Sequence, residues 1–275
     1  MSPSLDPLWF PHILADILHN TDWQTLLSSR LVSASMLRLV DPMLCGPTLH
    51  LQNNTAGTIE AISWGGDLGG DYLSARRVPY FYRNGSKDSR AAAIRKVRDL
   101  KLHTDAATEH VNLLLQLLPP HAKIWIEHDK EVFPDRSTAT LNTTISLPPC
   151  RSLSVAVGSA CKCQGAAFNH VAPSVTFYPY DWHYEEEEAS GTRSQCALVD
   201  GVLNRGVYEL HVGTDEGYLP KLFKDVNLQV NPELRVVLLG CEDYWVDDLV
   251  KTRSATAKCF NIPESQVTIR GVDFN

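Results

Sequence analysis

The feature that most constrains this chain is a rhythm. From residue 97 onward, short runs in which apolar and polar residues alternate recur at intervals of 23–33 residues. They are Val97–His103, Ala122–Glu127, Arg151–Val157, Ser174–Tyr178, Val207–Val212, Leu234–Leu239 and Gln266–Arg270, and Thr48–Leu51 precedes them. The pairs Leu100/Leu102, Ile124/Ile126, Leu153/Val155, Val175/Phe177 and Leu210/Val212 repeat with a period of two, which marks strands buried on one face. The stretches between runs are long enough for crossovers, so successive strands are expected to be parallel. The clearest helix patterns are Ala107–Leu118, with Val111, Leu114, Leu115 and Leu118, and Asp243–Cys259. A doubly wound sheet buries both faces and reads as near-continuous apolar strands; only Leu234–Leu239 reads that way. The expectation is therefore an α/β chain whose strands and crossovers stack as a solenoid arc, the inner sheet face meeting solvent. The period lies near that of leucine-rich repeats, without their Asn or Cys ladder consensus.

Such an arc would display the polar positions between the buried ones. These are Asp99, Lys101 and His103; Lys123, Trp125 and Glu127; Ser152 and Ser154; Thr176 and Tyr178; Glu209 and His211. Lys101, His103, Trp125, Glu127, Tyr178, Glu209 and His211 are the candidate contacts to a protein target. Trp125, between Ile124 and Ile126, is a hot-spot residue if open and a core residue if residues 128–150 cover it.

Residues 1–47 have a different texture. Pro11 suits a first helical turn, and Ile13, Leu14, Ile17 and Leu18 share one helical face. Asn20-Thr21-Asp22 breaks the pattern and offers N-cap groups. Trp23, Leu26, Leu27 and Leu31 mark a second helix, and Met36, Leu37, Leu39, Val40, Met43 and Leu44 follow. Helices this short and apolar must bury against each other, the rest of the chain or a partner. The domains expected are 1–47, a helical module, and 48–275, the repeat domain, with an irregular Gly-rich insert over 53–96.

Residues 10–44 resemble the F-box. The resemblance rests on Phe10-Pro11-His12-Ile13-Leu14 with Ile17-Leu18, on Leu26-Leu27, on Arg30-Leu31-Val32-Ser33, and on Leu39 with Asp41-Pro42-Met43-Leu44. Phe10 stands where the family opens with Leu, and Met36 where Trp is usual. With the downstream repeat, the chain is similar to fungal F-box proteins with leucine-rich-repeat-like C-terminal domains. The resemblance implies docking on a Skp-family adaptor, and through it a cullin–RING ubiquitin ligase, through Phe10, Pro11, Ile13, Leu14, Ile17, Leu18, Leu26, Leu31, Val32 and Met36. The alternative is that Phe10, Ile13, Leu14, Ile17 and Leu18 pack on the first repeat as the cap that a solenoid requires.

Composition narrows the alternatives. A net charge of −7 disfavours polyanions, so nucleic acid is not an expected partner. No run approaches the ~18 apolar residues of a membrane span, and no signal peptide is evident. Seven cysteines in a chain of 275 residues read as reduced thiols, hence a cytoplasmic or nuclear protein. No Gly-x-Ser-x-Gly, phosphate loop, GxGxxG or His-Glu-x-x-His occurs, and His103-Thr104-Asp105 is the only tight His/Asp pair. Cys161-Lys162-Cys163 with His170 and His183 has poor spacing for one tetrahedral zinc. Arg90, Arg95, Lys96, Arg98 and Lys101 read as a solvated face, and Glu185–Glu188 as a solvated loop or an acidic recognition loop. Neither catalysis nor a cofactor is expected.

Overall fold

The computed structural model describes residues 11–53, 59–64, 76–77, 87–128, 143–158, 166–180, 196–213, 230–239 and 246–270. The chain divides into two compact units, residues 1–100 and 101–275. Among the described residues no helix is long and apolar enough to cross a membrane.

The first unit opens with α1 (Pro11–His19), α2 (Trp23–Ser29) and α3 (Ala34–Val40), the last running into a 3-10 turn at Asp41–Met43. Local chemistry sets each boundary. Thr21 Oγ1 donates to the Ile17 carbonyl at 2.6 Å and closes α1. The Asp22 carboxylate caps α2 by accepting from Thr25 N at 3.0 Å and from the Thr25 hydroxyl at 2.7 Å, which holds its carboxyl below the usual range. Ser33 Oγ caps α3 by accepting from Met36 N at 3.1 Å. Then follow β1 (Thr48–Asn53), β2 (Ile59–Trp64), β3 (Arg76–Arg77) and α4 (Lys87–Ile94). β2 runs antiparallel to β1, with Leu51 opposite Ala61, and β3 antiparallel to β2.

Leu18, Leu26, Val40 and Leu44 are buried, as are Leu49, Leu51 and Ala61 of the strands and Ala93, Ile94 and Val97 at the end of α4. α4 packs on the 3-10 turn, and Lys96 Nζ donates to the Pro42 carbonyl at 3.4 Å. The boundary expected at residue 47 therefore falls inside a unit. The helices are too short to enclose a core unaided, and β1, β2 and α4 belong to the same unit. The 53–96 insert, read as irregular, contains β2, β3 and α4.

β4 (Asp99–His103) carries the chain into the second unit. There the elements are α5 (Glu109–Leu115), β5 (Lys123–His128), β6 (Ile145–Ser146), β7 (Ser152–Gly158), β8 (Phe168–Asn169), β9 (Ser174–Tyr180), α6 (Ala197–Gly201), β10 (Glu209–Gly213), β11 (Arg235–Leu239), α7 (Val246–Phe260) and β12 (Val267–Ile269). β5, β7, β9, β10, β11 and β12 pair in that order, every pair parallel. Across these six described strands the order does not reverse, so they contain no switch point of a doubly wound sheet. Ile124, Ile126, Leu153, Val155, Val175, Phe177, Leu210, Val212, Val236, Leu238, Val267 and Ile269 are all buried. Their alternate neighbours are half-buried or exposed, Ala156 excepted. β6 and β8 form a separate two-stranded parallel sheet.

Four of the strands, β5, β10, β11 and β12, are entered through a repeated device. Ala122 N donates to Pro119 O, Val207 N to Asn204 O, Leu234 N to Asn231 O and Gln266 N to Pro263 O, all at 2.9–3.0 Å. Side chains at these turns then tie one crossover to the next. Asn204 Oδ1 accepts from Gly206 N at 2.8 Å while its Nδ2 donates to His170 O at 3.1 Å. Asn231 Oδ1 accepts from Glu233 N at 2.9 Å while its Nδ2 donates to Arg205 O at 3.0 Å. Gln266 Nε2 donates to Pro232 O at 3.0 Å. His170 holds the preceding rung: Ala172 N donates to Nδ1 at 3.2 Å, so the proton sits on Nε2, which donates to Val202 O at 3.0 Å. These bonds satisfy backbone groups that the stacking removes from water.

Two outcomes follow from the ladder. Asn231→Ala removes a buried donor and acceptor together, and urea unfolding should show a loss of about 1–3 kcal/mol; no loss would mean the ladder contributes nothing net. Burial, the larger effect, depresses the His170 pKa below its ordinary 6.5, against an opposing carbonyl contact. The unfolded chain then binds the extra proton first. This contribution is complete above pH 6.5 and is lost as pH falls from there towards the folded value. Thermal melts across pH 7.5–5.5 should decline more for the wild type than for His170→Gln, and parallel curves would refute the assignment.

Candidate functional site

Two surfaces emerge, one in each unit. In the first unit, Pro11 opens α1 as its first residue, and Phe10 lies outside the described residues. Leu14 and Met36 are half-buried. Leu18 and Leu26, expected on the docking face, are buried inside the unit, so they hold the helices together instead of facing a partner. The outward apolar residues are Ile13 at 48% exposure, Ile17 at 58%, Leu31 at 86% and Val32 at 74%. Ile13 and Ile17 stand one turn apart on α1, and Leu31 and Val32 occupy the α2–α3 turn. An apolar residue exposed singly needs no explanation, but four within residues 13–32 of a unit with its own buried positions do. In the second unit the comparable exposed residues, Leu113, Val171, Tyr208 and Val250, fall one per segment.

The second surface is the unburied face of the parallel sheet. Register places Trp125 beside Ser154, Ser154 beside Thr176, Thr176 beside His211 and His211 beside Val237. A second row runs from Glu127 through Ala156 to Tyr178. Trp125 and Tyr178 sit on strands separated by β7, about 10 Å apart at ordinary strand spacing. Their rings nonetheless stack, with centroids 5.3 Å apart and planes inclined by 20°. The intervening side chains on β7, Ser154 and Ala156, are small, which leaves room for two large rings above them. On the far side, a Cβ at Gly213 would lie 2.7 Å from Tyr178 Cδ1, so this position is glycine because the tyrosine ring occupies the space. The Trp125 indole nitrogen is shielded from solvent and meets no acceptor among the described residues. Trp125 is thus half-buried against Tyr178, and residues 129–142, whose cover would make it core, lie outside the described residues.

Charged groups flank the aromatic pair. Lys101 Nζ lies 2.7 Å from Glu127 Oε2, and His211 Nε2 lies 3.2 Å from Glu209 Oε1. Partly exposed pairs such as these contribute ~0–1 kcal/mol and mainly orient their partners. His103, expected on this face, is buried. Its Nδ1 is 2.9 Å from Asp105 Oδ1, a contact of charge proximity without hydrogen-bond alignment. The neighbouring Thr104 hydroxyl lies 2.5 Å from Nδ1 of buried His128. Hydroxyl, base and orienting acid are therefore divided between two histidines. His170, considered as a metal ligand, has both ring nitrogens bonded to backbone; Cys161, Cys163 and His183 lie outside the described residues, as does Glu185–Glu188. Among the described residues no cluster of three metal-ligating side chains occurs. Cys150 and Cys259 have thiols pushed up to about 11 by burial, which keeps them protonated and unreactive.

A cavity of about 430 Å3 opens beside the His170 rung, lined by Phe168, Asn169, Asp200 and small residues including Ala167 and Gly201. The small residues have a packing reason: a Cβ at Gly201 would lie 2.2 Å from the Phe168 carbonyl oxygen, so α6 rests directly on β8.

No protein-family model, no curated protein and no solved structure matches this chain.

The aromatic pair yields a direct test. Gly213→Ala should push the Tyr178 ring off Trp125 and change the near-ultraviolet circular dichroism, with little loss of far-ultraviolet signal. Tyr178→Ala in the same background should remove the clash; an unaltered near-ultraviolet spectrum for Gly213→Ala would show that the stack does not depend on that glycine.

Proposed function

We propose that this chain is the substrate-recognition subunit of a Skp–cullin–F-box ubiquitin ligase. Its N-terminal helices dock on a Skp-family adaptor, and the leucine-rich-repeat-like arc binds a protein target on its open sheet face. The chain does no chemistry itself; it brings a target to a ligase assembled elsewhere, in the cytoplasm or nucleus. One observation carries the reading: Ile13, Ile17, Leu31 and Val32 are exposed on a helical segment whose Leu18, Leu26, Val40 and Leu44 are already buried. A cap made only to close the sheet would turn such residues inward, whereas a docking module needs apolar anchors facing out. The F-box resemblance of residues 10–44 supplies the kind of partner. On the second unit, Trp125, Tyr178, Glu127, Lys101, Glu209 and His211 supply a half-buried aromatic centre with a polar surround, the composition of a transient interface.

The other reading is a leucine-rich-repeat-like interaction scaffold independent of ubiquitin ligases. It is favoured by the burial of Leu18 and Leu26, which shows part of the apolar helical surface used internally. Co-purification with a Skp-family adaptor separates the two. The wild type should capture the adaptor, and Ile17→Asp and Leu31→Asp should each reduce capture more than tenfold with unchanged melting temperature, because both positions are solvent-exposed. Failure of the wild type to bind leaves the scaffold reading.

A further inference from the structure

Resting on the adaptor reading above, we propose that Arg30 and Asp41 are positioning residues that aim the Leu31–Val32 turn at the adaptor. Arg30 is the C-cap of α2, and Asp41 follows the last residue of α3. Arg30 Nε and Asp41 Oδ1 form an ion pair whose carboxylate is fully buried and whose guanidinium is nearly so. The pair ties the start of the α2–α3 turn to the far end of α3, and that turn carries the two most exposed large apolar side chains among the described residues of the first unit. Between the two residues several backbone amides are held. Leu31 N and Val32 N donate to Ser28 O and Ser29 O at 3.1 Å, Ser33 Oγ accepts from Met36 N, and Leu37 N donates to Ser33 O at 3.0 Å.

The energetics favour a positioning role over a stabilising one. Burying an ion pair is seldom more favourable than apolar packing of the same volume, and the best-attested use of such pairs is to select one geometry among several. Here the second carboxylate oxygen, Oδ2, is buried and meets no donor among the described residues, so the site is not tuned for maximum stability. What the arrangement secures is direction. Two branched side chains on a short turn present one defined shape only if the ends of the turn cannot shift, and preorganisation of this kind raises affinity by lowering the ordering cost of binding.

The test uses the full chain and a purified Skp-family adaptor. Asp41→Asn should raise the adaptor Kd by about tenfold, measured well below the melting temperature. Amide hydrogen exchange should quicken at Leu31 and Val32 while the Leu26 amide stays protected. Leu31→Ala should also weaken binding, and adding Asp41→Asn to it should change Kd by less than about twofold, the non-additivity of residues acting as one device. A merely structural pair gives a different result: affinity lost only in proportion to unfolded protein, exchange quickened across the whole unit, and effects that multiply. Either that pattern or an unchanged Kd overturns the proposal. Should Asp41→Asn not fold, Arg30→Lys, which keeps the charge and alters the geometry, is read by the same criteria. Absence of adaptor binding by the wild type refutes the adaptor reading and the proposal together, whereas wild-type binding with a normal variant refutes the brace alone.

Discussion

A parallel sheet that advances in one direction makes the chain re-enter it at the same end every time. Each entry needs a tight turn, and each turn leaves backbone donors and acceptors facing the crossover above and below. In the second unit this recurring demand is met by side chains: His170, Asn204, Asn231 and Gln266 each bond a carbonyl of another segment, and the first three also take an i+2 amide. A buried backbone group without a partner is as costly as a lost hydrogen bond. The one-sided burial of the strands is affordable only because their entry turns are satisfied in this way. The open face, and any recognition it performs, is a consequence of that satisfaction at the strand ends.

The rhythm of the strands was legible in the sequence because burial on one face imposes a period of two, and that period survives when no repeat consensus does. All eight runs begin within two residues of a strand start, and Val207–Val212 became Glu209–Gly213 because Val207 closes the entry turn. The ladder was not legible. Asn204-Arg205-Gly206 and Asn231-Pro232-Glu233 do read as turns, but nothing in one-dimensional order says that a turn side chain reaches a carbonyl more than 25 residues away. β2 and β3 were missed for another reason: they lie in a Gly-rich stretch of weak alternation, and antiparallel pairing with β1 supplies what local pattern lacks.

The candidate surfaces were legible to unequal degrees. Parity along a strand places Lys101, Trp125, Glu127, Tyr178, Glu209 and His211 on one face, and they share it. The same parity fails for His103, because at a strand end the following segment covers the side chain: Thr104 opens a 3-10 turn over residues 104–106. Helical periodicity put Ile13, Leu14, Ile17 and Leu18 on one stripe but did not say which edge of it packs inward. With 100° per residue, Leu18 is buried while its neighbour Ile17 is exposed, and four helix residues thus split between core and surface. The stack of Trp125 on Tyr178 required knowledge of strand order, since it spans β7 and depends on two small residues there and on Gly213.

The two surfaces differ in physical character, and the difference bears on what each can hold. The helical module exposes branched aliphatic side chains with few charges among them, a composition suited to a constant partner whose own surface is apolar and which stays bound. The sheet face mixes a stacked aromatic pair with Lys101–Glu127 and Glu209–His211, groups whose charges are already partly compensated within the chain. A ligand there gains little from simple charge attraction and must instead match shape against the rings while exchanging one ion pair for another. Such a surface discriminates by the penalty for a poor fit more than by raw affinity. On the proposed reading, one lasting apolar contact and one selective, modest contact divide the work of a recognition subunit, because the cargo must be released while the attachment to its assembly persists.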